Sequence, residues 1–146
     1  MLERQRRARL ADAAAARVAR LATADAAGRP HLVPICFAIL GERLYSVIDD
    51  KPKPTRTQLK RLRNIAENAH VAVLVDHFEE DWSRLWFTSL SGTARVVGDG
   101  EEYERALRAL RAKYRQYESM PLAMSTHPMI AVDIDRVHGW SAAERH

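Results

Sequence analysis

Arg17-Val-Ala-Arg-Leu-Ala-Thr-Ala-Asp-Ala-Ala-Gly-Arg-Pro-His-Leu-Val-Pro-Ile-Cys-Phe-Ala-Ile-Leu40 reads as a β-hairpin. Arg17 to Thr23 alternates polar with apolar side chains, the period-two pattern of a half-buried strand. Asp25-Ala-Ala-Gly-Arg29 is a tight turn in which Gly28 takes a positive φ. His31 to Leu40 makes a second strand, antiparallel to the first. Pro34 has no N–H to give a ladder, so it marks a bulge or an edge position. Gly41-Glu42 turns the chain into a third strand through Leu44-Tyr-Ser-Val-Ile48, ending near Asp50.

Outward from this hairpin, residues 2–15 read as an Arg- and Ala-rich helix capping one end of the domain. A basic amphipathic helix is expected over 55–67, with Thr55 or Thr57 as N-cap. Val71-Ala-Val-Leu-Val75 is a continuous apolar strand, expected to be buried on both faces. Trp82 to Val97 holds a long strand bent at Gly92. A helix follows from Glu101 to Tyr117, its apolar positions Tyr103, Ala106, Leu107, Leu110 and Tyr114 at three-and-four spacing. A loop over 118–128 leads to a last strand, Ile130 to Asp135, continuing from Val137 to Ser141 after a kink. Six short strands with few helices between them argue for a small, closed or partly closed antiparallel barrel, with 1–146 as one domain. Helices do not alternate regularly with strands, which argues against a parallel sheet.

The chain is 47% hydrophobic and 29% charged, with a net charge of +4. That is ordinary for a soluble globular protein. The modest charge is concentrated, which points to a local anionic ligand rather than a nucleic-acid coat. Its basic residues also lack neighbouring aromatics that would stack on bases. The single cysteine, Cys36, excludes an internal disulfide and reads as a buried inert thiol. No apolar run approaches membrane-spanning length and no signal peptide is visible, so a cytoplasmic protein is expected.

The concentration of charge lies in Lys51-Pro-Lys-Pro-Thr-Arg-Thr-Gln-Leu-Lys-Arg-Leu-Arg63, with six basic residues and no acidic one. Pro52 and Pro54 stiffen its start. Arg56, Lys60 and Arg63 recur at helical spacing beside an apolar stripe of Leu59, Leu62 and Ala66. Cations on a helix that begins just after a strand suit a phosphate or a polycarboxylate. The alternative is a solvated basic face.

Taken together, residues 19–35, the Lys-Pro-Lys segment with its basic helix, Arg63-Asn-Ile-Ala-Glu-Asn-Ala-His-Val-Ala-Val-Leu-Val-Asp76, Ser91-Gly-Thr-Ala-Arg-Val-Val97 and Val137-His-Gly-Trp140 form an ordered series. This series resembles the pyridoxamine 5′-phosphate oxidase-like split-barrel superfamily over residues 15–142. Within it, the similarity is to the small flavin/deazaflavin oxidoreductases often labelled F420-dependent. The resemblance implies a mainly β, six-stranded antiparallel split barrel, FMN-binding-protein-like, with an N-terminal helix and two inserted helices. It implies a homodimer with the cofactor in a groove between subunits. The cofactor phosphate is then expected against Lys51, Lys53, Arg56, Lys60 and Arg63. The ring system is expected near Pro34, Ile35, Ser46, Val47 and Ile48, with Trp140 covering the cofactor of the partner subunit. More cations line the segment than one phosphate needs, which favours coenzyme F420, with its glutamate tail, over FMN.

In such an enzyme the cofactor carries the hydride chemistry, and no catalytic side chain is assigned. Asp76-His-Phe-Glu-Glu-Asp81 matches no metal-ligand spacing and reads as an acidic surface loop, so no metal site is expected. Trp86 and Phe87 alternate onto opposite faces, and core packing is expected for at least one tryptophan. His31, His70, His127 and His138 read as surface or structural residues, with proton donation as the functional alternative. Ser119-Met-Pro-Leu-Ala-Met-Ser125 is either a substrate lid or a plain connection. The expected activity is F420-dependent hydride transfer to an unsaturated or quinone-like small-molecule acceptor. The alternatives are an FMN flavoprotein and a non-catalytic cofactor carrier.

Overall fold

In the computed structural model, which describes residues 2–49, 56–98 and 100–144, with α2 side chains from Lys60 onward, the expected hairpin is present. Strands β1 (Ala19–Ala24) and β2 (Pro30–Ile35) pair from Ala19 with Ile35 to Ala24 with Pro30. Gly28 has φ +82°, as the tight turn requires. The second strand is shorter than the sequence suggested. It stops at Ile35, and after Cys36 and Phe37 a separate strand β3 (Ala38–Leu40) pairs with β4 (Arg43–Val47) instead of β1. The sheet therefore has seven strands rather than six.

Nothing in the apolar run Ile35 to Leu40 signals this break, because its cause is a distant tyrosine. The Phe37 N–H donates to the Tyr114 hydroxyl at 3.0 Å, and that hydroxyl donates to the Arg17 carbonyl at 3.0 Å. Both backbone groups are thus satisfied without a ladder partner.

The remaining strands are β5 (His70–His77), β6 (Trp86–Val96) and β7 (Met129–Ser141), and every pairing is antiparallel. The strand order is β2-β1-β5-β6-β7-β4-β3. The two outermost strands are joined by Cys36 and Phe37 alone. Three trans peptide steps span at most about 11 Å, so the edges of a seven-stranded sheet must come together. The sheet curls into a barrel split along that seam.

Its interior is filled by Leu21, Val33, Ile35, Leu44, Val73, Val75, Leu90, Ile130 and Val132 with their neighbours. Helix α1 (Glu3–Ala15) lies over β6 and β7. The Arg9 side chain there is almost fully buried and bonds both Asp12 (2.9 Å) and Glu144. A second core lies outside the barrel, where α3 (Glu101–Lys113) presses Tyr103, Ala106, Leu107 and Leu110 onto Tyr45, Val47 and Met129. Those helix positions are the ones its spacing predicted. The helix ends at Lys113, before a short 3-10 turn (Arg115–Glu118), not at Tyr117. Arg95 fastens its start to the sheet, donating to Glu102 at 2.8 and 2.7 Å and to Asp133 at 3.0 Å.

Strand β5 departs from its expected burial. Val71, Val73 and Val75 face the interior, but Leu74 is 41% exposed on an open outer face. The loop after α3 is held down, with Leu122 in the second core and Arg111 donating to the carbonyls of Tyr117 (3.0 Å) and Met120 (2.8 Å). The kink expected in the last strand is a bulge at Asp135: Ser91 pairs with Arg136, but Gly92 pairs with Ile134. A Cβ on Gly92 would lie 2.1 Å from the Asp133 carbonyl oxygen. Gly92→Ala should therefore lower stability by about 2 kcal/mol or more, read as a lower denaturation midpoint at unchanged m-value.

Candidate functional site

Helix α2 (Arg56–Glu67) covers one end of the barrel through Ile65 and Leu62, and through Asn64, whose Nδ2 donates to Thr23 Oγ1 at 3.0 Å. Ile65 takes the inward place expected of Ala66, which is exposed. This seating turns Lys60 and Arg63 toward the β1–β2 turn. There they line a hollow of about 270 Å³ with Asp25, Arg29 and Glu67.

The organiser of this hollow is Asp25, buried at 3% exposure. Its Oδ1 accepts from the backbone N–H groups of Ala27 and Arg29, both at 2.9 Å, and its Oδ2 from Arg29 Nε at 2.8 Å. The Arg29 guanidinium and backbone N–H hold the Asp25 pKa down at about 2. Lys60 Nζ is 3.6 Å from the same carboxylate, an ion pair too long for a hydrogen bond. Three cations here face two carboxylates, and Arg63 is the exposed cation outside that pairing.

The second feature is the outer face of β2, β1, β5, β6 and β7. Register places Pro34, Arg20, Leu74, Ser89 and His138 in one row across the strands, and Leu32, Ala22, Ala72, Ser91 and Arg136 in the next. Trp140 pairs with Phe87 beyond them, and Phe87 lies against His138 at 5.8 Å between ring centres. Small residues Ala22, Ala24, Ala72 and Ser91, with Pro30, His70 and Asp135, line a shallow trough of about 440 Å³. Leu32 is 66% exposed and Trp140 37%. Arg20 and Asp76 form an ion pair on this face at 3.1 Å, within one chain.

The residues expected around a ring system do not share one surface. Pro34 and Trp140 lie on the outer face. Ile35 and Ile48 belong to the barrel interior. Ser46 points the same way as Leu44 and Ile48, is paired with Ile130 and is 3% exposed. Val47 lies under α3 in the second core. Side chains that reach a groove must alternate outward along each strand, and of these positions Pro34 and Trp140 do. Lys51 and Lys53, the N-cap candidates Thr55 and Thr57, and the side chains of Arg56 and Leu59 lie outside the described residues. Trp86 packs against the interior while Phe87 faces out, as their alternation required. Trp82 is 67% exposed.

With this geometry established, comparison with known proteins is direct. The family model described as pyridoxamine 5′-phosphate oxidase matches residues 4–141. The chain belongs to the pyridoxamine 5′-phosphate oxidase family. Among solved structures, a conserved hypothetical protein of Mycobacterium tuberculosis is 20% identical, with TM-score 0.72, covering 98% of this chain and 86% of that one. An FAD-binding protein of Mesorhizobium loti is 23% identical, with TM-score 0.65 and coverages of 95% and 94%. The heme storage protein HutZ of Vibrio cholerae is 16% identical, with TM-score 0.68 and coverages of 96% and 94%. At such identities the likeness is one of fold. No curated protein matches the chain.

For a family member, the α2 cations and the open outer face fit a phosphate-bearing, planar cofactor. Arg63 and Lys60 would hold an anionic group, and the small-residue trough leaves room for a flat ring. Among the described residues, no helix is long and apolar enough to cross a membrane. Asp25 and Arg29 were missed as site residues because their segment reads simply as a turn. The available signal was an Asp whose side chain can cap N–H groups two and four residues on.

Asp25 also sets a pH test. Its folded pKa lies below the ordinary carboxylate value, so its contribution to stability is full above about pH 4 and is lost as pH falls toward 2. Asp25→Asn should flatten that part of the profile of melting temperature against pH, while lowering the melting temperature at pH 7.

Proposed function

We propose that this protein binds a flavin-type redox cofactor and passes a hydride to an unsaturated or quinone-like small molecule. Coenzyme F420 is the first reading. Membership of the family carries the proposal, and the cationic wall of α2 beside an open, small-residue sheet face supports it. The cofactor supplies the hydride chemistry when bound. The protein's part is to hold the anionic tail at Lys60 and Arg63, to present a flat surface, and to exclude water.

FMN is the second reading, and one observation favours it. The surplus of cations that pointed to a glutamate-rich tail is smaller in the folded chain, because Asp25 and Glu67 stand among Arg29, Lys60 and Arg63. Titration of the purified protein with F420 and, separately, FMN, followed by tryptophan fluorescence, decides between them. Low-micromolar F420 binding with much weaker FMN binding is expected, and the reverse preference makes it a flavoprotein. Binding of neither would refute the proposal. Because Asp25 shares the charge of Lys60, Arg63→Ala should weaken binding more than Lys60→Ala, by about tenfold for a lost charge-assisted contact.

We also propose that the active form is a homodimer, with the groove completed by the partner. The outer face exposes Leu32 and Leu74, yet β5 has the apolar sequence of a strand covered on both sides. Covering that face gains about 25 cal/mol per Å² of apolar surface. Sedimentation should give a dimer, and Leu74→Arg should shift it toward monomer without unfolding it. A wild-type monomer would overturn this reading.

A further inference from the structure

At the end of β1 opposite the Asp25 hollow, where the barrel is split, Lys113 terminates α3. Its ammonium sits 3.7 Å from the centre of the Phe37 ring and 5.3 Å from that of Tyr114. It is shielded from solvent and, among the described residues, has no hydrogen-bond acceptor. An ammonium has three donors to satisfy, and a cation–π contact offsets only part of the cost of withdrawing it from water.

The charge beside it has the same sign. Arg17 donates to the Lys113 carbonyl at 2.7 Å, and its guanidinium carbon lies 4.9 Å from the centre of the Tyr114 ring. Burial, followed by the repulsion of Arg17, holds the Lys113 pKa down at about 8. Among the described residues, neither cation has a carboxylate partner. The Asp49 carboxylate accepts from the Tyr117 hydroxyl, which also faces Cys36. Several other cations are matched: Arg20 by Asp76, Arg29 by Asp25, and Arg43 and Arg95 by Asp133.

We infer that Lys113 and Arg17 form a binding site for an oxyanion, the carboxylate or phosphate of a small molecule. Phe37 and Tyr114 supply apolar walls, against which a charge-assisted bond to the anion is stronger than in water. Cys36 and Phe37 follow directly on β2, whose Pro34 lies on the outer sheet face proposed for the cofactor ring. The small molecule is therefore the acceptor, an assignment that rests on the redox reading above. The site takes acceptors bearing an anionic substituent, and Lys113 and Arg17 act as its binding residues.

The probe is inorganic phosphate, added to cofactor-free protein while the side-chain resonance of Lys113 is titrated by NMR. Saturable binding should raise the Lys113 midpoint by about one pH unit, the signature of about tenfold tighter binding to the charged amine. Followed at the backbone resonances of Phe37 and Tyr114, which every variant keeps, Lys113→Met should abolish the saturable response, Lys113→Arg should retain it, and Arg63→Ala should leave it unchanged. A wild-type midpoint unmoved by phosphate would overturn the site, and this measurement decides even where Lys113→Met does not fold. A folded Lys113→Met whose Phe37 and Tyr114 resonances respond to phosphate as in wild type would also overturn it. In cofactor-loaded protein, phosphate should raise the KM for a carboxylate-bearing quinone, and an unchanged KM would remove the acceptor assignment. Failure to bind either cofactor would sink the redox reading and the acceptor assignment, while leaving the phosphate result on the free protein standing.

Discussion

The architecture depends on how the chain crosses the seam of the barrel. Cys36 and Phe37 connect the two ends of a seven-stranded order, and a sheet of that width cannot lie flat with its edges two residues apart. At that crossing, strand pairing is replaced by one hydroxyl. Tyr114 serves the Phe37 N–H and the Arg17 carbonyl together, so α3 is tied to both the first strand and the break in the second. Burial of the Phe37 ring, which has no exposed surface, fills the seam from within. The second core under α3 is thus a consequence of the split. The helix that satisfies the break must be anchored, and Tyr103, Leu107 and Leu110 do this.

Two electrostatic arrangements divide the labour around the barrel. Arg95 joins Glu102 and Asp133, and the Arg95 and Tyr45 contacts hold the Glu102 pKa near 2. Each of those charges is matched, so the arrangement is a fastening for α3. The Asp25 hollow is built differently. Its carboxylate is fully engaged by the turn, while the cations around it keep exposed faces. A buried anion that positions exposed cations is a way to present positive charge at a fixed place without long side chains wandering.

Much of this was legible before any coordinates. Alternation from Arg17 to Thr23, the positive φ of Gly28, the helical face of Tyr103 to Leu110 and the opposite orientations of Trp86 and Phe87 are all local consequences of backbone period. They hold because a side chain's direction follows from its place in a strand or helix. The grouping of Pro34, Ile35, Ser46, Val47 and Ile48 did not hold as one surface. The resemblance located the strands, but parity along each strand separated the residues, sending Ile35, Ser46 and Ile48 inward and Val47 under α3. Leu74 was misread in the other direction, since an apolar sequence shows what a surface prefers to touch, not whether one chain supplies it.

The sequence by itself determined the antiparallel class, the order of the elements apart from the separate β3, the basic character of α2 and the family to which the chain belongs. These follow from periodicity, turn chemistry and the order of segments, all of which are written along the chain. Tertiary structure alone decided that the second strand breaks at Cys36, that Asp25 stands among the α2 cations, and that Lys113 and Arg17 meet over two aromatic rings. Each of those depends on residues far apart in the chain. A distant hydroxyl can replace a ladder bond, and charge balance is settled only when folding brings the partners within reach.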